Sequence, residues 1–73
     1  MKSIIGGLIY DTENAEKVCR LDVFGTLYKK NSTWFIYMFC LVGTIIPVHE
    51  DQVKIYLQDK PEIYLKYFEA KEI

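Results

Sequence analysis

The chain has 73 residues and a formal net charge of −1. That length makes one domain, and a balance of nine basic against ten acidic residues lacks the strongly basic footprint of a duplex nucleic-acid binder. Hydrophobic residues form 51% of the chain and aromatic residues 15%, enough to fold alone although so short a chain buries only about 60% of its unfolded surface.

The opening "MKSIIGGLIYD" has one Lys, a short apolar stretch and no small-residue cleavage site. It therefore predicts no secretory leader and a cytoplasmic location. Within it, "SIIGGLIY" reads as a short hairpin, two apolar pairs around Gly6-Gly7, a dipeptide that tolerates the positive φ of a tight turn. "DTENAEK" follows as a short helix capped by Asp11 or Thr12, with Glu13 and Glu16 where the helix dipole favours negative charge. Cys19, Leu21 and Val23 then alternate with Arg20 and Asp22 as a half-buried strand, which Gly25 breaks. "TLYKK" is the next strand, and "NST" the hairpin tip leading into "WFIYMFC".

That aromatic run opens thirteen residues, Trp34 to Ile46, with one polar side chain, Thr44. A membrane helix needs about 20 apolar residues, and Pro47 with His49-Glu50-Asp51 closes the run too soon. Its aromatic and β-branched residues suit a pleated surface. Trp34, Ile36, Met38 and Cys40 point one way, Phe35, Tyr37, Phe39 and Leu41 the other. A strand with two apolar faces belongs in a sheet covered on both sides. Helix covers one side; the N-terminal segment, a symmetry mate or a foreign partner must cover the second. Gly43 separates this strand from "TIIPV", which ends at Pro47 or lies at an edge.

The final third is helical. His49 stands at the N-cap before "EDQ", with Gln52 placed for a weak capping box. Val53, Tyr56 and Leu57 share one face. Pro61 forces a boundary near Lys60 and opens a second helix, "PEIYLKYFEAKE", on which Tyr64, Tyr67 and Phe68 share a face with Ile63 on its flank. The expectation is a single α+β domain over residues 1–73, a mainly antiparallel sheet of four to six short strands with one or two C-terminal helices.

Catalytic chemistry is not visible. The lone His49 reads as a cap or surface residue, and no Gly-x-Ser-x-Gly, phosphate loop or dinucleotide fingerprint occurs. Cys19 and Cys40 sit among apolar neighbours and read as reduced, buried thiols. With a single His they fall short of a metal site, so neither metal nor cofactor is expected and the chain reads as a non-enzyme.

Binding chemistry has two candidates. On the C-terminal helices Tyr56, Tyr64 and Tyr67 stand among Asp59, Glu62 and Glu69, with Glu72 beyond. Tyrosine buries large area while keeping a polar handle, and an acidic surface complements basic grooves that otherwise hold nucleic acid. The outward aromatic face of the sheet is a second place for the same contact. The alternative set is Lys29, Lys30 and Trp34, lysines beside an aromatic on which single-stranded bases could stack. A structural homo-oligomer is a third reading, since small domains often complete their core with a second copy.

The order "IIGGLIYDTENAEKV", "GTLYKKNSTWFIY", "TIIPVHEDQVKIYL" resembles a loose family of small proteins encoded by phages and mobile elements of bacteria. Its members show an I-x-G-x-x-Y-[DN]-T-x-x-A start, a central L-Y-[KR] strand with an aromatic pair, and an I-I-P strand end leading into an acidic helix. The matching positions are Ile5, Gly7, Tyr10, Asp11, Thr12, Ala15, Leu27, Tyr28, Lys29, Trp34, Phe35, Ile45, Ile46 and Pro47, spread over most of the chain. The longer Gly-rich insertions that many such proteins carry around the central hairpin are missing here. Some similar mobile-element proteins are anti-CRISPR or other anti-defence inhibitors. The resemblance thus implies a protein that occludes a surface of a larger host protein, such as a CRISPR effector.

Overall fold

Two glycines set the first turn. A computed structural model describes residues 1–22, 25–39 and 43–73, and in it Gly6 and Gly7 both take positive φ, 57° and 78°. Two successive left-handed residues make the type I′ turn that matches the twist of flanking strands. They join β1 (Lys2–Ile5) to β2 (Leu8–Asp11) in the antiparallel register Lys2↔Asp11, Ser3↔Tyr10, Ile4↔Ile9, Ile5↔Leu8. The base of this hairpin is pinned where Thr12 N donates to the Met1 carbonyl at 3.0 Å. Asp11 caps a 3-10 turn, Thr12–Asn14, accepting from Glu13 N at 3.0 Å and from Asn14 Nδ2 at 2.9 Å. The expected helix is only this one turn, because Glu16 already enters the next strand.

The remaining strands form a second sheet, an antiparallel meander in the order β3-β4-β5-β6: β3 (Glu16–Arg20), β4 (Gly25–Lys30), β5 (Thr33–Phe39) and β6 (Gly43–Val48). The α+β class therefore holds, with six described strands split into sheets of two and four. β3 begins earlier than its alternation suggests, and its register slips between Lys17 and Cys19, a bulge that hides the period. Gly25 starts β4 rather than ending β3; its amide donates to Asp22 Oδ1 at 2.7 Å. Asn31 takes a φ of 57° at the β4–β5 turn, a conformation Asn tolerates better than most residues. Gly43 opens β6 opposite Phe39, and Pro47 lies in β6 at the sheet edge, where its missing N–H breaks no ladder. Val23, Phe24, Cys40, Leu41 and Val42 lie outside the described residues, and with them part of the expected alternation and one thiol.

β5 is apolar on both faces, and each face is covered. Trp34 and Ile36 join Leu27 of β4 in a buried cluster with Val53 and Leu57, the stripe of α1 (Glu50–Leu57). On the other face Phe35 and Ile45 are buried with Tyr10 of β2. Tyr10 meets the Phe35 ring edge-on at 5.4 Å and Tyr28 stacks on it at 5.4 Å. The N-terminal hairpin is therefore the second cover, through one aromatic.

His49 caps α1 by its backbone, its carbonyl accepting from Gln52 N at 3.0 Å and Val53 N at 3.1 Å, while its imidazole makes no capping bond. Pro61 opens α2 (Pro61–Tyr67). This helix stops short of the expected "PEIYLKYFEAKE" because Phe68 turns extended and lays its ring on Trp34 at 5.6 Å.

Candidate functional site

The C-terminal layer holds six residues of interest, and the fold divides them. Tyr56, Tyr64 and Tyr67 are half-buried and pack against the Leu27–Trp34–Ile36 cluster. Tyr67 meets the Trp34 ring edge-on at 5.4 Å, and its hydroxyl donates to Glu16 Oε2 on β3 at 2.5 Å. The three tyrosines are thus mainly the lid of the core rather than free anchors. Their helical spacing is the spacing of a packing stripe. Asp59, Glu62 and Glu69 are exposed.

The apolar groups that α1 and α2 do present to water are others. Ile55 is 63% exposed and Leu65 59%; with Pro61 and Tyr64 they line a cleft of about 340 Å³ between the helices. A sequence signal for them exists. Ile55 lies two residues from both Val53 and Leu57, which places it on the far side of the helix from the buried stripe. Leu65 likewise lies two residues from both Ile63 and Tyr67, which pack on the core.

Lys54 is the charged residue that lines this cleft; the other charges stand elsewhere on the helical segment. Lys54 Nζ lies 3.9 Å from Glu50 and 5.3 Å from the Phe68 ring centre. Lys60 pairs with Asp59 at 3.3 Å, and Lys66 sits 5.6 Å from the Tyr67 ring centre. Asp51, Glu62, Glu69 and Glu72 make no salt bridge among the described residues. Residues 49–73 carry six acids against four bases, whereas residues 1–48 carry four against five. The surplus acid of the molecule is therefore on its helical side.

The Lys29, Lys30, Trp34 set does not form a stacking platform. Trp34 is 3% exposed, sandwiched under Tyr67 and Phe68, because it points to the helix-covered face of β5. Lys29 Nζ lies 5.6 Å from the Trp34 ring centre and donates to the Asn31 carbonyl. Lys30 Nζ donates to the Asn14 carbonyl at 2.9 Å on the opposite side. The outward aromatic face is also closed where Tyr10 covers Phe35, leaving Phe39 exposed at its end.

Sequence reasoning did not single out the N-terminal hairpin as a surface. Ile4 is 73% and Ile9 67% exposed on one face, and Leu8 is exposed on the other with Ile5 at its margin. Alternation marks one outward face of a strand, but a strand apolar on both faces carries no such mark. Cys19 is half-buried, and burial pushes its thiol up, partly offset by Lys60. No group of three or more His, Cys, Asp or Glu among the described residues is placed to hold a metal, and no described helix is long and apolar enough to cross a membrane. Comparison with protein-family models, curated proteins and solved structures finds no match.

Proposed function

We propose that this protein is a small non-catalytic binder that occludes a basic surface of a larger protein through the α1–α2 cleft. The supporting observation is an apolar cleft lined by Ile55, Pro61, Tyr64 and Leu65, with Lys54 at its edge, on the helical part of the chain that carries six acids against four bases. An apolar core within a charged rim is the common anatomy of a protein interface. The acid selects a positively charged partner and speeds the encounter. Surfaces that hold nucleic acid are positively charged. The likeness of "IIGGLIYDTENA" and "TIIPVHEDQ" to phage and mobile-element proteins suggests a host defence complex, such as a CRISPR effector, as that partner. Binding would block access of nucleic acid without any reaction.

The test is inhibition of target cleavage by a panel of purified effector–guide complexes titrated with the chain. One complex should be inhibited, and Ile55→Asp or Leu65→Asp should weaken inhibition tenfold or more, about 1.4 kcal/mol of binding. A folded chain that leaves every complex fully active ends the anti-defence reading.

A further inference from the structure

The N-terminal hairpin is a sheet of its own laid on a larger one, and few bonds hold it there. β1 and β2 pair only with each other among the described residues. Among those residues no hydrogen bond or salt bridge links either strand to β3, β4, β5, β6 or a helix. The hairpin's polar groups close on themselves instead. Thr12 N donates to the Met1 carbonyl, the Met1 amino group donates to Thr12 Oγ1 at 2.9 Å, and Lys2 lies 3.9 Å from Asp11.

Apolar packing makes the attachment, and it is concentrated at the hairpin's base. Tyr10 is the one buried residue of the two strands, and it packs with Phe35 and Ile45. Met1 Sδ reaches the space over Gly43 beside Tyr37. Leu8, on the same face as Tyr10 but nearer the turn, is already 57% exposed.

The link to β3 is tied separately. Asn14, last residue of the 3-10 turn, accepts from Lys30 Nζ of β4 at 2.9 Å. The hinge therefore lies within that turn, between Thr12, bonded to Met1, and Asn14, bonded to β4. Burying one aromatic favours a docked form by roughly ten- to a thousandfold, whereas a small domain is favoured over its unfolded chain by about 10³ to 10⁸. Elements docked so lightly open without the rest of the fold. Two strands alone are at best marginal in water, so an undocked hairpin loses its own pairing too.

We infer that the hairpin is a hinged cover, which leaves the larger sheet as a unit while β3 to β6 and both helices stay folded. Opening bares Phe35 and Ile45, 1% and 5% exposed when the cover is closed. Tyr28, stacked on Phe35, is bared with them. Tyr37 and Phe39 continue the row with ring centres 6.4 Å apart, and Phe39 is exposed already. The open form thus presents an aromatic strip along β5 of which the closed form shows only the end. Trp34 and its cluster lie on the helix-covered face and are untouched.

Thiol labelling tests this. In chains with Cys19 and Cys40 changed to Ala, Ile45→Cys places a thiol beneath the cover, and Val53→Cys places one in the helix-side core. Ile45→Cys should label at least tenfold faster than Val53→Cys and depend less steeply on urea. Adding Tyr10→Ala should speed Ile45→Cys labelling tenfold or more while Trp34 emission keeps its native wavelength; Tyr10→Phe should leave the rate within about twofold, because the ring and not the hydroxyl makes the attachment. In the parent chain, amides of β1 and β2 should exchange at least tenfold faster than those of β4 and β5. Equal rates or equal urea dependence for the two thiols mean that hairpin and domain unfold together, and overturn the inference. So does Ile45→Cys labelling indifferent to Tyr10→Ala, or loss of the native Trp34 emission in that variant.

Discussion

Tyr67 joins the last helix to the third strand through one short hydrogen bond, its hydroxyl donating to Glu16 at 2.5 Å. Burial, and then that bond, push its phenol from 10.0 up to about 12. The folded state thus holds this proton more tightly than the unfolded chain. The stabilisation is complete below pH 10.0 and is lost as pH climbs toward 12. Cys19, raised from 9.0 by burial, pulls in the same direction. Tyr67→Phe should cost about 1 kcal/mol at neutral pH, and its urea midpoint should fall less than the parent's as the solution is made alkaline. Trp34, the only tryptophan, gives a second reading at this scale. Its emission should be blue-shifted, poorly quenched by iodide and unchanged by oligothymidine. Strong quenching by the oligonucleotide would restore the stacking role that its burial denies. The sequence shows Trp34 as an aromatic four residues after Lys30; only the pairing of β5 with both neighbours fixes which face it takes.

At the scale of elements, the Gly6-Gly7 turn is the most exacting. Neither glycine has an atom within 4 Å of where a Cβ would stand, so a substitution there meets conformational cost alone. Gly7→Ala should lose about 1 kcal/mol and raise amide exchange in β1 and β2 with little change in β4 and β5. Gly6→Asn should be close to neutral, because Asn-Gly is a favoured type I′ pair. Most of this architecture is legible in the sequence. The turn dipeptide, the two-sided apolar run of β5, Pro47 at an edge, His49 as cap and Pro61 at the second helix start each follow from local chemistry. Less legible are the extents. The bulge at Val18 breaks the period of β3, and α2 ends where Phe68 is drawn to Trp34, a contact between residues far apart in sequence.

For the whole molecule, the sheet is a plate with a different partner on each side, and exposed apolar groups remain on the helices, on the hairpin and at Phe39 and Ile46 of the sheet. The tyrosines with interface character are spent on the core, and Phe39, Ile55, Leu65 and the hairpin carry the exposure instead. Periodicity identifies the stripe that folds a helix, so a binding residue off that stripe shows only as an exception to it. The charge asymmetry adds a prediction here. Association through the helical side should slow as salt rises, since exposed charges are screened beyond roughly 8 Å at physiological ionic strength. Glu62→Lys with Glu69→Lys should lower the association rate more than it raises the dissociation rate, measured by surface plasmon resonance against the inhibited complex.

The Tyr67 and Phe68 rings resting on Trp34 have a bearing on synthesis and turnover. Residues 1–48 leave the ribosome before the helices that shield Trp34, Ile36 and Leu27, so the nascent sheet is adhesive until the last few residues appear. A protease nick near Lys60 would recreate that adhesive intermediate from the mature protein, and the clipped fragment should clump or be cleared rather than persist as a working remnant.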